Sequence, residues 1–224
     1  MAAIGKMEYA YDSSSDFPIV HEYDIAATTV IEKGEVVKLV EGLVVAVGDT
    51  DQDDPYLGVA TEDHTGSADT LNPRSTGKRI KVWDSPTAVF KCKPNAIVTA
   101  ASGSTTTAVD AAYGTIANDK FNGGYLKVIS ATNLVPGRVY RITDFATTSG
   151  TFTGVFGASV AANDTFLLLP PVLSHGWDLN SDGTTLDLAA NGGESIQVED
   201  TESDTGWVYW RLRLHQKSSH ILAI

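Results

Sequence analysis

Residues 34–47 read GEVVKLVEGLVVAV, and their pattern decides the fold class. Successive side chains of a strand point to opposite sides, so Val37 and Leu39 share one face while Val36, Lys38 and Val40 share the other. Glu41-Gly42 supplies a two-residue turn, and LVVAV (43–47) brings the chain back, which makes the stretch a β-hairpin. GDTDQDDP (48–55) is a loop by composition. YLGVAT (56–61) is a further short strand, and a glycine inside a strand marks a bulge or a close backbone approach.

The same grammar extends outward. DHTGSADTLNPRSTG (63–77) reads as a long polar loop. RIKVW (79–83) and AVFKCK (88–93) read as strands joined by the turn sequence DSPT, a second hairpin. Residues 95–124 are rich in Ala, Thr, Ser and Gly and read as an insertion or linker, with a short helix near Ala108–Tyr113. Beyond them YLKVI (125–129), RVYRI (138–142), TFTGVF (151–156), TFLLL (165–169), TLDL (185–188), SIQVE (195–199) and WVYWRLRL (207–214) read as strands, separated by Gly-, Asn- and Pro-containing turns. The first two dozen residues are polar and mixed, with Ser13–Ser15 and Pro18, and read as an extended arm. The expectation is therefore an all-β chain, a short-stranded β-barrel or β-sandwich. Its expected parts are an N-terminal arm at 1–24, a hairpin-rich domain at 25–94, the insertion or linker at 95–124 and a second β-rich lobe at 125–224. Alternating βαβ units are absent, which argues against a doubly wound fold.

The chain has 224 residues, long enough to bury roughly 70% of the surface its unfolded form exposes and to fold without a disulfide or metal. Its formal net charge is −12, and no Lys/Arg cluster offsets it. Phosphate backbones and anionic membrane surfaces are thereby disfavoured as partners, because both are recognised through clustered cations. The single cysteine, Cys92, alternates in register with Ala88 and Phe90 and reads as a small buried hydrophobe rather than a nucleophile. The N-terminal MAAIGKMEYAYDSSSDF lacks a continuous apolar h-region, and no apolar run approaches the roughly 20 residues that cross a bilayer. The expectation is a protein made and kept in the cytoplasm, or carried out inside something larger.

Motifs for catalysis are missing: no G-x-S-x-G, no P-loop, no H-E-x-x-H and no C-x-x-C pair, so no enzymatic activity and no cofactor are expected. Of the histidines, only His215 and His220 are near neighbours, and their odd separation puts them on opposite faces of an extended strand. Two acidic loops invite a calcium test. Asp49, Asp51, Asp53 and Asp54 form the first. Asp178, Asn180, Asp182 and Gly183 open the second like a calcium loop, but Ala189 stands where the bidentate Glu belongs, and N-S-D-G is also a hairpin turn. No metal is expected. In the last strand Val208, Trp210, Leu212 and Leu214 suit a core, while Trp207, Tyr209, Arg211 and Arg213 face the other way. Aromatic plus Arg is the composition enriched at protein interfaces, and equally that of an outer face on which Arg stacks against aromatics. Trp83, Trp177, Trp207 and Trp210 could alternatively form a sugar-stacking platform, unless at least two of them are core.

The stretch IEKGEVVKLVEGLVVAVGDTDQDDPYLGVATEDHTGS (31–67), followed by GKRIKVWDSPTAVFKC (77–92), resembles the head-decoration (capsid-cementing) proteins of tailed bacteriophages. The shared pattern is a Gly-started strand (Gly34–Val40), a turn and second strand (Gly42–Val47), an acidic loop (Asp49–Asp54) and a Gly58-Val59-Ala60 strand. The resemblance covers roughly residues 25–95. It implies a structural protein on the outside of the virion, bound to the major capsid protein, self-associating as a trimer and stabilising the expanded shell. It also implies an N-terminal arm that adds to a capsid sheet, with Tyr9, Tyr11, Phe17, Ile19 and Val20 as its contact residues. Trp207, Tyr209, Arg211 and Arg213 are then expected at a self or capsid interface. Rival expectations are another virion part (tail, fibre-base or head-completion protein) and, from a different class, a carbohydrate-binding β-sandwich.

Overall fold

A computed structural model of the chain describes residues 6–13, 19–27, 29–47, 56–66, 74–85, 87–179, 183–189 and 196–212. In chain order the strands are β1 (Glu8–Asp12), β2 (Val20–Ala26), β3 (Val30–Ile31), β4 (Val36–Val40), β5 (Leu43–Ala46), β6 (Tyr56–Ala60), β7 (His64–Thr65), β8 (Ser75–Trp83) and β9 (Ala88–Cys92). There follow β10 (Ile97–Thr99), β11 (Ser102–Gly103), β12 (Thr107–Val109), β13 (Tyr125–Ser130), β14 (Val139–Arg141), β15 (Asp144–Ala146), β16 (Thr151–Thr153) and β17 (Thr165–Leu169). The last four are β18 (His175–Leu179), β19 (Leu186–Asp187), β20 (Ile196–Glu202) and β21 (Trp207–Leu212). The protein is all-β. The helical pieces among the described residues are two 3-10 turns, Ala111–Tyr113 and Thr147–Ser149.

The hairpin at 36–46 forms as its pattern dictates. Val40 pairs with Leu43, and the two turn residues both take positive φ, 51° at Glu41 and 81° at Gly42, the backbone that matches strand twist in a two-residue hairpin. This hairpin is part of a closed barrel in the order β2-β5-β4-β6-β8. Ile25, Ile31, Val37, Val44, Leu57, Ala60, Ile80 and Val82 fill it, with Tyr23, Leu39 and Ala46 at its margins. Val36, on the opposite face of β4 from Val37, joins the larger core instead.

Strand β6 shows why its glycine is there. Pairing with β4 slips between Val37–Gly58 and Lys38–Tyr56, a bulge that shifts the alternation by one. Leu57 and Ala60 therefore face the barrel, while Tyr56 and Val59 face the larger core, and all five residues of the strand are buried. Gly58 lies so close to β8 that a Cβ would sit 2.1 Å from the carbonyl oxygen of Trp83.

The larger core runs from Met7 to Leu212. It lies beneath a six-stranded sheet, β1-β9-β21-β20-β18-β19, and two four-stranded sheets, β10-β17-β13-β14 and β11-β12-β16-β15. An aromatic chain forms its spine: Phe90 packs on Trp210 (5.3 Å between ring centres), and Phe121 packs edge-on against Phe145 (4.8 Å) and tilted against Trp177 (5.7 Å).

Five expectations are corrected. Residues 8–12 are not a free arm: β1 pairs along β9, and β2 closes the barrel against β8. Met7 is buried and Tyr9 stacks on Trp83 at 5.7 Å, so apolar anchors spaced through a polar segment are enough to dock it. The strands at 79–83 and 88–93 do not form a hairpin. After Trp83 the chain leaves the barrel, and β9 enters the six-stranded sheet between β1 and β21. Residues 95–124 are not a linker: they supply β10–β12 and bury Val98, Ala108, Tyr113, Ile116 and Phe121. The helix expected near Ala108–Tyr113 is instead a strand ending at Val109 and one 3-10 turn, which the Asp110 carboxylate caps by accepting from the Ala112 N–H at 3.0 Å. Finally, 25–94 and 125–224 are not separate lobes, because β9, β20 and β21 share one sheet.

Candidate functional site

Alternation along β21 builds the site. Val208, Trp210 and Leu212 are buried, which turns Trp207, Tyr209 and Arg211 to the outer face of the six-stranded sheet, where all three are half-buried. Tyr209 lies opposite Lys91 of β9 on one side and Asp200 of β20 on the other. The face is laced by cross-strand polar contacts. The Tyr209 hydroxyl donates to Glu202 Oε1 at 2.7 Å, and Arg211 forms an ion pair with Glu199, Nε to Oε1 at 2.7 Å. Lys91 pairs with Glu8 at 3.4 Å. The ammonium groups of Lys91 and Lys93 lie 4.8 and 5.0 Å from the centre of the Trp207 ring, within cation–π range. The hydrogen bond to Glu202 and, next, burial push the Tyr209 phenol up to about 12. The same bond, then that from Thr205, holds the Glu202 carboxyl below its usual range.

Strand β1 completes the face. Its register slips between Tyr9 and Tyr11, so these two residues, which equal parity would place together, face opposite ways. Tyr9 turns inward onto Trp83 and Phe90. Tyr11 turns outward, 46% exposed, with its ring 6.5 Å from that of Tyr209. Between them opens a cleft of about 410 Å³ lined by Tyr9, Ala10, Tyr11, Lys91, Asp200 and Tyr209. A second cleft, of about 590 Å³, lies where β1 meets the barrel and is lined by Lys6, Met7, Glu8, Tyr9, Lys33, Asp63 and Trp83.

The structure thus brings Tyr11 together with Trp207, Tyr209 and Arg211. It does not bring Ile19 and Val20 into that group: they are exposed at the start of the barrel, Val20 opposite Trp83. Phe17 and Arg213 lie outside the described residues, as do the first acidic loop and Asn180 and Asp182 of the second. Strands β18 and β19 pair on either side of that second loop, Leu179 against Leu186, which is the hairpin arrangement.

A four-tryptophan stacking platform does not form. Trp177 and Trp210 are core, Trp83 is sandwiched among Tyr9 and Phe90, and two lysines lie over Trp207. Cys92 is fully buried, and burial pushes its thiol up to about 12, which leaves no thiolate at neutral pH. Among the described residues no three His, Cys, Asp or Glu side chains come together as a metal site, and no helix is long and apolar enough to cross a membrane.

One cluster was invisible in the sequence. His21 Nδ1 lies 2.8 Å from both oxygens of Asp84, and the Tyr23 hydroxyl donates to the same carboxylate. His21 and Tyr23 share a face of β2, and Asp84 follows β8, so only the β2–β8 register makes them neighbours. The trio's geometry ties the barrel's end to the point where the chain crosses to the sheet.

No protein-family model, no curated protein and no solved structure matches this chain.

Proposed function

We propose that the protein is a head-decoration protein: it binds the major capsid protein on the outside of a phage shell and stabilises the expanded lattice. The observation that carries this reading is that the segment resembling decoration proteins folds as a closed barrel with its own apolar filling, Ile25 through Val82. A closed barrel has no free sheet edge, so it withstands a crowded lattice without edge-to-edge aggregation. The outer sheet face around Trp207, Tyr209, Arg211 and Tyr11 is the candidate surface for a capsid subunit or for a second copy, with a trimer as the arrangement. Two of its charge pairs, Lys91–Glu8 and Arg211–Glu199, are already made within the sheet, which suits a surface that must lose water on docking.

The mechanism is linkage. A protein that touches two neighbouring shell subunits finds its full contact set only once the lattice has expanded, and binding that state alone lowers its free energy by mass action. The free-arm version is set aside, because β1 is held in cis by β9. Removing residues 1–20 would strip β1 from Phe90 and Val89 rather than delete an appendage. The test is co-sedimentation of the intact chain with unexpanded and expanded heads, followed by location of its density on the particle. Selective binding to expanded heads in many copies is expected. Equal binding to both, or a few copies at one vertex, would give the assignment to another virion part.

A further inference from the structure

Two register slips meet at the cleft beside Tyr209. In β20 the pairing with β21 jumps from Val198–Trp210 to Asp200–Tyr209, so Glu199 is the extra residue of a bulge. Two consecutive carboxylates thereby reach the outer face, Glu199 at Arg211 and Asp200 opposite Tyr209. In β1 the slip at Ala10 turns Tyr11 to the same face, within ring contact of Tyr209. A bulge re-aims side chains at the cost of ladder hydrogen bonds, and both of these bulges aim a side chain, Tyr11 or Asp200, at one cleft.

The charges around the cleft are unequally matched. Register pairs set Glu8, Lys91, Tyr209 and Asp200 in one row across four strands. Lys91 is held by Glu8 at 3.4 Å and lies 4.8 Å from the centre of the Trp207 ring, and Arg211 is held by Glu199 at 2.7 Å. Asp200 is left over. Its Oδ1 accepts from the Thr201 N–H at 2.7 Å, and among the described residues no cation pairs with it. Its field crosses the cleft. Burial, then the charges of Glu199 and Asp200, push the Tyr11 phenol up, and at Tyr209 Asp200 adds to the larger effects of Glu202 and burial. Both phenols therefore stay protonated at neutral pH, and each offers a neutral ring whose face attracts a cation.

We propose that this cleft is a guanidinium site, in which an arginine-type cation lies against the Tyr11 and Tyr209 rings and pairs with Asp200. The two rings stand 6.5 Å apart and are inclined at 36°, a wedge that receives a flat group. A guanidinium is planar and weakly hydrated, stacks on aromatic faces and meets a carboxylate through two parallel N–H bonds, whereas an ammonium is a compact, strongly hydrated point charge. An anion is repelled by Asp200, and a neutral ring compound leaves its charge unpaired. The assignment stands on the cleft alone and is independent of the decoration reading.

The test is titration of the full chain, its tyrosine rings isotope-labelled for NMR, with N-acetyl-arginine amide, N-acetyl-lysine amide and a pentapeptide carrying one arginine among glycines, all at low salt. The arginine compound should shift the Tyr11 and Tyr209 ring signals saturably, and the lysine compound should bind about tenfold more weakly or not at all. Asp200→Asn keeps an oxygen for the Thr201 N–H and should weaken arginine binding about fivefold or more. Asp144→Asn, which removes an exposed carboxylate from another sheet, should leave it unchanged. Tyr11→Leu, at a side chain 46% exposed, supplies a second variant whose folding does not hang on the Asp200 turn, and it too should bind more weakly. The absence of saturable shifts, an equal response to lysine, equal weakening by Asp200→Asn and Asp144→Asn, or wild-type affinity in Tyr11→Leu each overturns the site. Tighter binding of the pentapeptide than of the blocked amino acid supports the site with a polypeptide as the source of the arginine, and equal binding supports it with a small molecule as the source.

Discussion

Replacing Gly58 by alanine sets a single methyl group against the wall of the barrel. The new Cβ would lie 2.1 Å from the Trp83 carbonyl oxygen, 2.8 Å from Val82 Cγ1 and 2.9 Å from the Trp83 carbonyl carbon. An ordinary carbon–oxygen contact needs about 3.3 Å, so β6 and β8 must part by roughly 1 Å. These strands are held by only two register pairs, Val59 with Trp83 and Ala60 with Val82. Overpacking costs about 1–3 kcal/mol, and each closing backbone bond lost adds about 1 kcal/mol. The entropy alanine removes from the unfolded chain returns only about 0.4–1 kcal/mol, leaving a net destabilisation of about 2–4 kcal/mol. For a chain of this size that lowers the melting temperature by very roughly 4–16 °C. Urea denaturation followed by tryptophan fluorescence reads it directly. Gly42→Ala is the control: nothing lies within 4 Å of its Cβ, but its φ is +81°, so it should lose only the roughly 1 kcal/mol of a left-handed alanine. A Gly58→Ala loss below about 1 kcal/mol, or equal losses at both sites, would refute the close-approach argument, since clash at the barrel seam is all that separates them.

Cys92 should stay unreactive toward a thiol-specific disulfide reagent in the native protein and titrate fully in denaturant, because it is buried and its thiol is pushed up to about 12; native-state labelling within minutes would contradict the packing. Burial, followed by the charge of Lys78, holds His64 below its ordinary 6.5. The unfolded chain therefore takes up a proton near pH 6.5 that the folded chain refuses. The His64 contribution is complete above about pH 7.5, declines as pH falls through 6.5 and levels off below the folded value. Urea midpoints from pH 8 to 5 should fall less steeply in His64→Gln than in wild type. Asp164 is buried and its two carboxylate oxygens accept from the Thr132 N–H at 2.7 Å and the Ala161 N–H at 2.8 Å. Asp164→Ala strands both donors and should cost about 3 kcal/mol in denaturant unfolding, with Asp164→Asn recovering part of it.

What the amino-acid sequence determined by itself is whatever depends on a few consecutive residues. The 36–46 hairpin, its Glu41-Gly42 turn, the buried Cys92 and the inside–outside split of Trp207–Leu212 all follow from period-two alternation and turn chemistry, which are local. Gly58 was legible as an irregularity, but not the identity of Trp83 as the backbone it must admit. What only the tertiary structure decided is pairing between distant segments. The docking of β1 on β9, the exit of the chain from barrel to sheet after Trp83, and the shared sheet of β9 with β21 each join segments whose own patterns are satisfied by several partners. The opposite orientations of Tyr9 and Tyr11 depend on a bulge that the pairing with β9 creates, and the His21–Tyr23–Asp84 cluster exists only through the β2–β8 register. A strand's sequence says which side is apolar; which strand lies beside it is chosen by the sum of contacts over the whole core, and that sum is written nowhere along the chain in order.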